Sequence, residues 1–332
     1  MARVLAITLN PALDLSIGLD TLMPGTVHRA GEARSTPAGK GNNVARVLAA
    51  HGHQVTVSGF LGAANAGVFE TAFADWGVAD AFIRVAGETR TNVKLAESAG
   101  RVTDINTAGA AVADDDWAGL LAEIDSQAET QSFSAAVIAG SLPPGVAPAR
   151  LAELVVRLNE FGVPVWLDTS GEALAAAIAA CPAWVKPNVD ELAAWAGRTL
   201  AEEATVLDAA AALQQAGVTN VVVSRGAAGV FWQGERQTLA ATAPRVSVVS
   251  TVCAGDTLVA GLMHGRLSGW SDDDTLAFAV ALSADAVTRI GVGRSDTAEF
   301  ETLRQSVAVQ AVVERGPRVK RGSLSAAGEN RT

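Results

Sequence analysis

The chain has 332 residues, 49% of them hydrophobic and 18% charged, with a mean hydropathy of +0.25. That is enough apolar material for a large core, and it excludes a largely disordered chain. A formal net charge of −10 and a pI of about 4.9 argue against non-specific binding to nucleic acid or to an anionic membrane. Two cysteines, Cys181 and Cys253, cannot make a disulfide framework, so a reducing compartment is expected. No apolar leader with a cleavage site follows Arg3, and a cytoplasmic protein is the expectation.

Taken in chain order, residues 4–9 read as a buried strand that ends in Asn10-Pro11-Ala12-Leu13-Asp14. A dinucleotide-binding domain would carry Gly-x-Gly-x-x-Gly at this first turn, and its absence counts against a dehydrogenase. Residues 13–36 have no helical period and, with 81–108, are expected to form a small sheet projecting as a lid. Pro37-Ala38-Gly39-Lys40-Gly41-Asn42-Asn43 opens into a helical pattern over 43–51. Its glycines permit close backbone approach, and Lys40 and Asn43 offer donors to hydroxyls or anions. The spacing is not that of a P-loop. Strands are expected at 55–60, 135–139, 163–167 and 220–224, and helices at 114–130, 148–161 and 201–216. Strand–helix alternation of this kind predicts an α/β fold with a mostly parallel sheet covered on both faces. From about Glu314 the chain is polar and rich in Gly and Ser, and residues 313–332 are expected to be a disordered tail.

Several loops after strands carry chemistry. Thr89-Arg90-Thr91-Asn92-Val93-Lys94 offers a guanidinium suited to bidentate phosphate recognition. Gly140-Ser141-Leu142-Pro143-Pro144-Gly145 follows a buried strand, where α/β folds place ligands. Lys186-Pro187-Asn188-x-x-Glu191 pairs a cation with a carboxylate, which suits nucleotide phosphates and Mg²⁺. Ser224-Arg225-Gly226-Ala227-Ala228-Gly229 reads equally as a ligand loop and as a plain hairpin turn. The strongest element is Ser250-Thr251-Val252-Cys253-Ala254-Gly255-Asp256-Thr257, read as a strand end opening into a helix. Unpaired N–H groups and the helix dipole favour a phosphate there. Asp256 would then accept a hydroxyl proton in the first turn, or act merely as a cap. Among 25 basic residues only four are lysines, and Lys40, Lys94 and Lys186 fall inside these motifs. A compact ammonium is therefore expected to matter at those positions.

In order and in combination, these motifs resemble the PfkB (ribokinase-like) family of carbohydrate kinases over residues 4–310. Ser-Thr-Val-x-Ala-Gly-Asp is similar to the family signature that carries the catalytic base, and Ala-Gly-Lys-Gly to its N-terminal glycine signature. Asn10 to Asp14, Thr89 to Lys94 with Asp104-Ile105-Asn106, and Gly140 to Gly145 resemble the phosphosugar branch. The resemblance implies a three-layer α/β/α ribokinase-like domain over residues 1–312 with a small β-sheet lid, dimerised through the lids. It implies Asp14, Gly39, Lys40 and Asn43 at the sugar, with Arg90 and Ser141 near its phosphate. It implies Lys186, Asn188 and Glu191 at the ATP phosphates and Mg²⁺, with Glu191 as the metal ligand, and Ser224, Gly226 and Gly229 around the nucleotide. Ser250 and Thr251 would join Cys253, Ala254 and Gly255 at the anion hole, with Asp256 as base. A monovalent cation such as K⁺ is a further expectation. The implied reaction is ATP-dependent phosphorylation of fructose 1-phosphate at its 6-hydroxyl. Kinases for tagatose 6-phosphate or fructose 6-phosphate, and a catalytically weak sugar-phosphate sensor, are the alternatives. Three positions depart from the family pattern: Cys253 replaces the usual Gly, Asn42 an aliphatic residue and Arg225 a common Leu. A low-pKa reactive role for Cys253 is weighed against that of a small packed thiol.

Overall fold

A computed structural model describes residues 1–314. Along the chain run β1 (Arg3–Thr8), β2 (Ala12–Leu19), β3 (Ala33–Ala38), α1 (Lys40–Ala50), β4 (Gln54–Gly62), α2 (Ala66–Trp76) and β5 (Ala79–Val85). Then come β6 (Thr91–Glu97), β7 (Val102–Ile105), α3 (Asp114–Thr130), β8 (Ala135–Ala139), α4 (Pro148–Glu160), β9 (Val165–Asp168) and α5 (Gly171–Ile178). β10 (Trp184–Val185), α6 (Val189–Ala196), α7 (Glu203–Gln215), β11 (Asn220–Ser224), β12 (Val230–Gln233) and β13 (Gln237–Ala241) follow. The described chain closes with α8 (Ala254–Leu267), α9 (Asp272–Val287), α10 (Ala298–Ser306) and β14 (Val309–Glu314).

Among the described residues the main sheet runs β14-β13-β12-β11-β10-β9-β8-β1-β4-β5. It is parallel from β11 to β5 and antiparallel beyond β11. β1 is apolar on both faces because both faces are covered. Val4 and Ala6 point into the core under α1, α8 and α9, while Leu5 and Ile7 point into the core under α3, α4 and α7. The result is a three-layer α/β/α domain. The chain goes from β1 to β4 on one side and later to β8 on the other, so the strand order reverses beside β1. The loops at the carboxyl ends of β1, β8 and β9 therefore open onto one crevice, where such sheets bind ligands.

A second sheet, β3-β2-β6-β7, leaves the main layer after β1 and returns through Gly39. The expected lid limits of 13–36 and 81–108 need correcting. Residues 79–85 pair with β4 as the main-sheet edge, because Phe82 and Val85 are buried against it, and the small sheet uses 12–38 and 91–105. Two further corrections concern the ends of elements. No strand precedes Ser250: exposed Val248 and Val249 find no neighbouring strand, and only the N–H groups of Val249 and Ser250 bond, both to the Val287 carbonyl. β14 runs to Glu314 as the outer strand on β13, past the expected domain end at 312. The rest of the expected tail lies outside the described residues.

Candidate active site

α1 starts at Lys40 because Gly39, with φ 131°, turns the chain sharply out of β3. A Cβ on Gly39 would sit 2.8 Å from Thr8 Cγ2, and one on Gly41 2.4 Å from Thr8 Oγ1, so the helix start lies hard against the end of β1. Asn42 fits there without an aliphatic side chain. It is fully buried, donates to the Ala38 carbonyl (3.2 Å) and accepts from Thr8 Oγ1 (3.3 Å). Buried amides need such partners.

The first turns of α1 and α8 meet over the crevice. Asn43 Nδ2 donates to Asp256 Oδ2 at 2.7 Å and lies 3.4 Å from Cys253 Sγ. Asp256 is 6% exposed. Burial, with Asp168 adding to it, lifts its carboxyl to about 6, against the pull of Asn43, Lys40 and Lys186. No side chain caps α8. The N–H groups of Gly255 and Asp256 in its first turn are therefore available to an anion.

Cys253, the residue before α8, adopts φ 68° and ψ −6°. This left-handed conformation suits Gly and costs a residue with a Cβ about 1–2 kcal/mol. Burial, then Asp256 and Asp14, push its thiol up to about 12. The reactive low-pKa reading of Cys253 is thereby corrected: at neutral pH the group is a packed, protonated thiol.

One residue at the centre carries no motif. Asp168, the last residue of β9, is 1% exposed. Its Oδ1 lies 3.1 Å from Lys40 Nζ and 3.4 Å from Lys186 Nζ, and the two ammonium groups hold the carboxyl below its usual range despite burial. Burial weakens Lys40's hold on its proton, but Asp168 and Asp256 outweigh that and raise it to about 12. Sequence reading missed Asp168 by ending this strand at Leu167. A lone Asp closing an apolar strand was the available signal.

On the lid side, Asp14 accepts from Asn92 Nδ2 (3.2 Å) and pairs with Lys94 (3.5 Å), which also reaches Asp104 (3.5 Å). Arg90 differs from expectation. Its Nε, Nη1 and Nη2 donate to the carbonyls of Pro11 (3.3 Å), Thr107 (2.9 Å) and Asn10 (3.0 Å). The fork is committed to the junction between sheet and lid, leaving two of its five N–H groups. Exposed Ser141 accepts from Asn10 Nδ2 at 3.2 Å, across the place where the strand order reverses.

On the other side, Asn188 caps α6. Its Oδ1 accepts the Glu191 N–H (2.8 Å) and its own N–H donates to Glu191 Oε2 (2.9 Å). The Asn-x-x-Glu spacing thus has a local structural use, which leaves Glu191 Oε1 open. Ser224 donates its N–H to Pro187 O (3.1 Å) and bridges Asn188. Gly226 and Gly229 form the β11–β12 hairpin turn at positive φ, and a Cβ on Gly229 would meet Ala241 O at 2.0 Å. Arg225 is structural: it pairs with Glu203 at 2.5 Å and covers the Phe231 ring at 3.7 Å. Thr251 is exposed, and Ser250 Oγ accepts the Val252 N–H (3.2 Å). A resident divalent cation does not fit this set. No group of three His, Cys, Asp or Glu ligands occurs among the described residues, and Asp168 already faces two ammonium groups. The set fits a cation that arrives on a triphosphate. Also among the described residues, no helix is long and apolar enough to cross a membrane.

The strand ends thus bring together a crevice, a buried carboxylate in the first turn of an uncapped helix and two converging lysines. The chain belongs to the pfkB family of carbohydrate kinases, whose profile matches residues 7–299. It is 46% identical over 310 residues to the 1-phosphofructokinase of Vibrio cholerae, covering 93% of this chain and 97% of that one. Among solved structures it is similar to Escherichia coli phosphofructokinase-2 in complex with potassium, with a TM-score of 0.85, 30% identity, and 92% and 99% of the two chains covered. The complex of that enzyme with fructose-6-phosphate gives a TM-score of 0.83 and 29% identity over the same shares. The protein is thus a carbohydrate kinase that uses ATP.

Proposed function

We propose that the protein phosphorylates fructose 1-phosphate at the 6-hydroxyl, using ATP, to give fructose 1,6-bisphosphate. The observation that carries the mechanism is Asp256, a buried carboxylate at about 6 in the first turn of an uncapped helix. The choice of sugar rests on the likeness to the Vibrio enzyme. Asp256 takes the proton of the attacking hydroxyl, since a base near the working pH is both free and strong enough. The oxygen attacks the γ-phosphoryl group in line, and the N–H groups of Gly255 and Asp256 meet its charge. Asp14, Gly39, Lys40 and Asn43 hold the sugar. Ser141 and the two remaining N–H groups of Arg90 take its phosphate. Lys186, Asn188, Glu191, Ser224, Gly226, Gly229, Ser250 and Thr251 line the nucleotide side, with Cys253 and Ala254 at the anion hole. Mg²⁺ carried on the triphosphate, with Glu191 Oε1 its candidate protein ligand, would neutralise phosphate charge.

The small sheet acts as a lid that excludes water. Its exposed Met23, Val27, Val102 and Ile105 fit pairing with the lid of a second copy, which light scattering in solution tests. A need for K⁺ carries over from the potassium complex of the neighbour and is tested by exchanging K⁺ for Na⁺. A cytoplasmic location fits a reaction that consumes ATP. The experiment for the whole reading is ADP release with fructose 1-phosphate, fructose 6-phosphate and tagatose 6-phosphate. The highest kcat/KM falls on fructose 1-phosphate. A higher value on either 6-phosphate transfers the assignment to that sugar, and binding without ADP release makes the protein a sensor.

A further inference from the structure

Lys40 comes from the glycine signature that precedes α1, and Lys186 from the loop after β10. The reading above assigns the first to the sugar and the second to the nucleotide. In space both ammonium groups converge on one oxygen, Oδ1 of Asp168 (3.1 and 3.4 Å). The carboxylate is almost completely buried at the end of β9, a central strand whose backbone is fixed by pairing with β8 and β10. Its second oxygen, Oδ2, is buried without a hydrogen-bond partner, so the charge is balanced through the lysines alone. A Cβ on Gly255 would sit 3.6 Å from Lys186 Nζ, so this lysine lies beneath the first turn of α8, beside Asp256.

We propose that Asp168 is a positioning residue that couples the two substrate half-sites by anchoring the ammonium groups of Lys40 and Lys186 at one point beneath the transferring phosphoryl group. Each ammonium has three N–H donors, so each can hold Asp168 and still present two to incoming phosphate or hydroxyl oxygens. Long lysine side chains are otherwise free to swing, and fixing them in advance removes an ordering cost that each substrate would meet. A buried carboxylate with two cations is also worth more here than at the surface, because the surrounding dielectric is low. Asp168 further sets the field at the proposed base. Asp256 is faced by Asp168 from β9, Lys40 from α1 and Lys186 from the loop after β10, while Glu191 at the start of α6 acts on Lys40. The Cys253 thiol lies alongside, with Asp14, Lys94 and Arg46 acting on that thiol. Of these groups, only Asp168 is anchored to both lysines.

This inference rests on the substrate sides assigned above, and the test separates the two. In Asp168→Asn, which keeps the shape, kcat/KM falls at least tenfold with respect to both the sugar phosphate and ATP, through KM. The acid limb of kcat/KM moves to lower pH, because two uncompensated ammonium groups then face Asp256. Lys40→Met raises KM for the sugar phosphate alone, and Lys186→Met raises KM for ATP alone. In Asp168→Asn/Lys186→Met the ATP defect is no deeper than in the worse single variant, the signature of residues acting as one unit. If Asp168→Asn does not fold, Asp168→Asn/Lys40→Met removes one uncompensated charge and carries the nucleotide arm. A KM change for one substrate only, or a loss of thermal stability with both KM values within twofold and the acid limb unmoved, overturns the proposal. Near-normal turnover in Asp256→Asn instead overturns the base assignment, and the two-substrate KM readout for Asp168 stands apart from it.

Discussion

α1 and α8 run side by side, and their two ends are built on opposite principles. At the N-terminal ends lie Lys40, Asn43, Cys253 and Asp256, with a strained residue before α8, no side-chain cap and a carboxylate lifted by burial. At the C-terminal ends three of the four histidines gather. His53 Nε2 meets His264 Nδ1 at 2.9 Å, and His51 reaches the Val47 carbonyl (2.7 Å) and Ser295 Oγ (2.8 Å). Trp270 and Phe278 pack edge-on around them. Burial, then His51 and His53, lower His264 to about 4. Both ends thus hold strongly perturbed groups. What separates them is satisfaction: the histidines are paired and packed, whereas the first turn of α8 is left with donors to spare. A perturbed pKa marks a site only when unspent hydrogen-bonding capacity accompanies it.

The comparison breaks most visibly through substitutions at each end. Asp256→Asn keeps the shape but removes the proton acceptor, so kcat falls by about 10²–10⁴-fold while sugar binding survives. His264→Gln at the opposite end leaves kcat unchanged. A steady-state assay of both variants checks the pair, and equal losses would erase the distinction between the ends.

Next in size is Arg90→Lys, which loses the planar fork. Charged hydrogen bonds are worth roughly 1.5–3 kcal/mol, so kcat/KM for the phosphosugar drops about 10- to 150-fold with KM for ATP nearly unchanged. Unphosphorylated fructose is the control. If it suffers equally, Arg90 serves only the carbonyls of Asn10, Pro11 and Thr107.

Cys253→Gly has a smaller effect. Relief of the positive φ, about 1–2 kcal/mol, is offset by the added freedom of Gly in the unfolded chain, about 0.5–1 kcal/mol. Stability shifts by about 1 kcal/mol or less, and kcat holds or rises. Abolished turnover would give the thiol a chemical part.

The smallest effect is at the histidine end. A histidine held near 4 in the fold and near 6.5 when unfolded takes up its proton on unfolding, so stability declines as pH falls from about 6.5 toward 4. Melting temperature across that window declines less steeply in His264→Gln, by roughly 2 °C.

Much of the catalytic end was legible in sequence, because its residues sit in contiguous strand-to-helix junctions whose glycines and lysines have one local reason to occur together. The lysine scarcity pointed to Lys40, Lys94 and Lys186, and each is paired with a carboxylate of the crevice or lid. What the chain order hides is pairing across long separations. Asp168 closes an ordinary apolar strand and acquires meaning only when two distant lysines fold onto it. The carbonyl partners of Arg90 belong to two other loops, and His51, His53 and His264 meet only once α1 and α8 pack. The strand expected before Ser250 failed for a related reason: β-branched residues suit a strand, but a strand also needs a neighbour.

The claim that the proton passes to Asp256 is tested most directly by kcat/KM for fructose 1-phosphate against pH. With the carboxyl near 6, the profile is level above pH 7 and falls about tenfold per pH unit below 6, as the base becomes protonated. A profile that stays level down to pH 5 would contradict it.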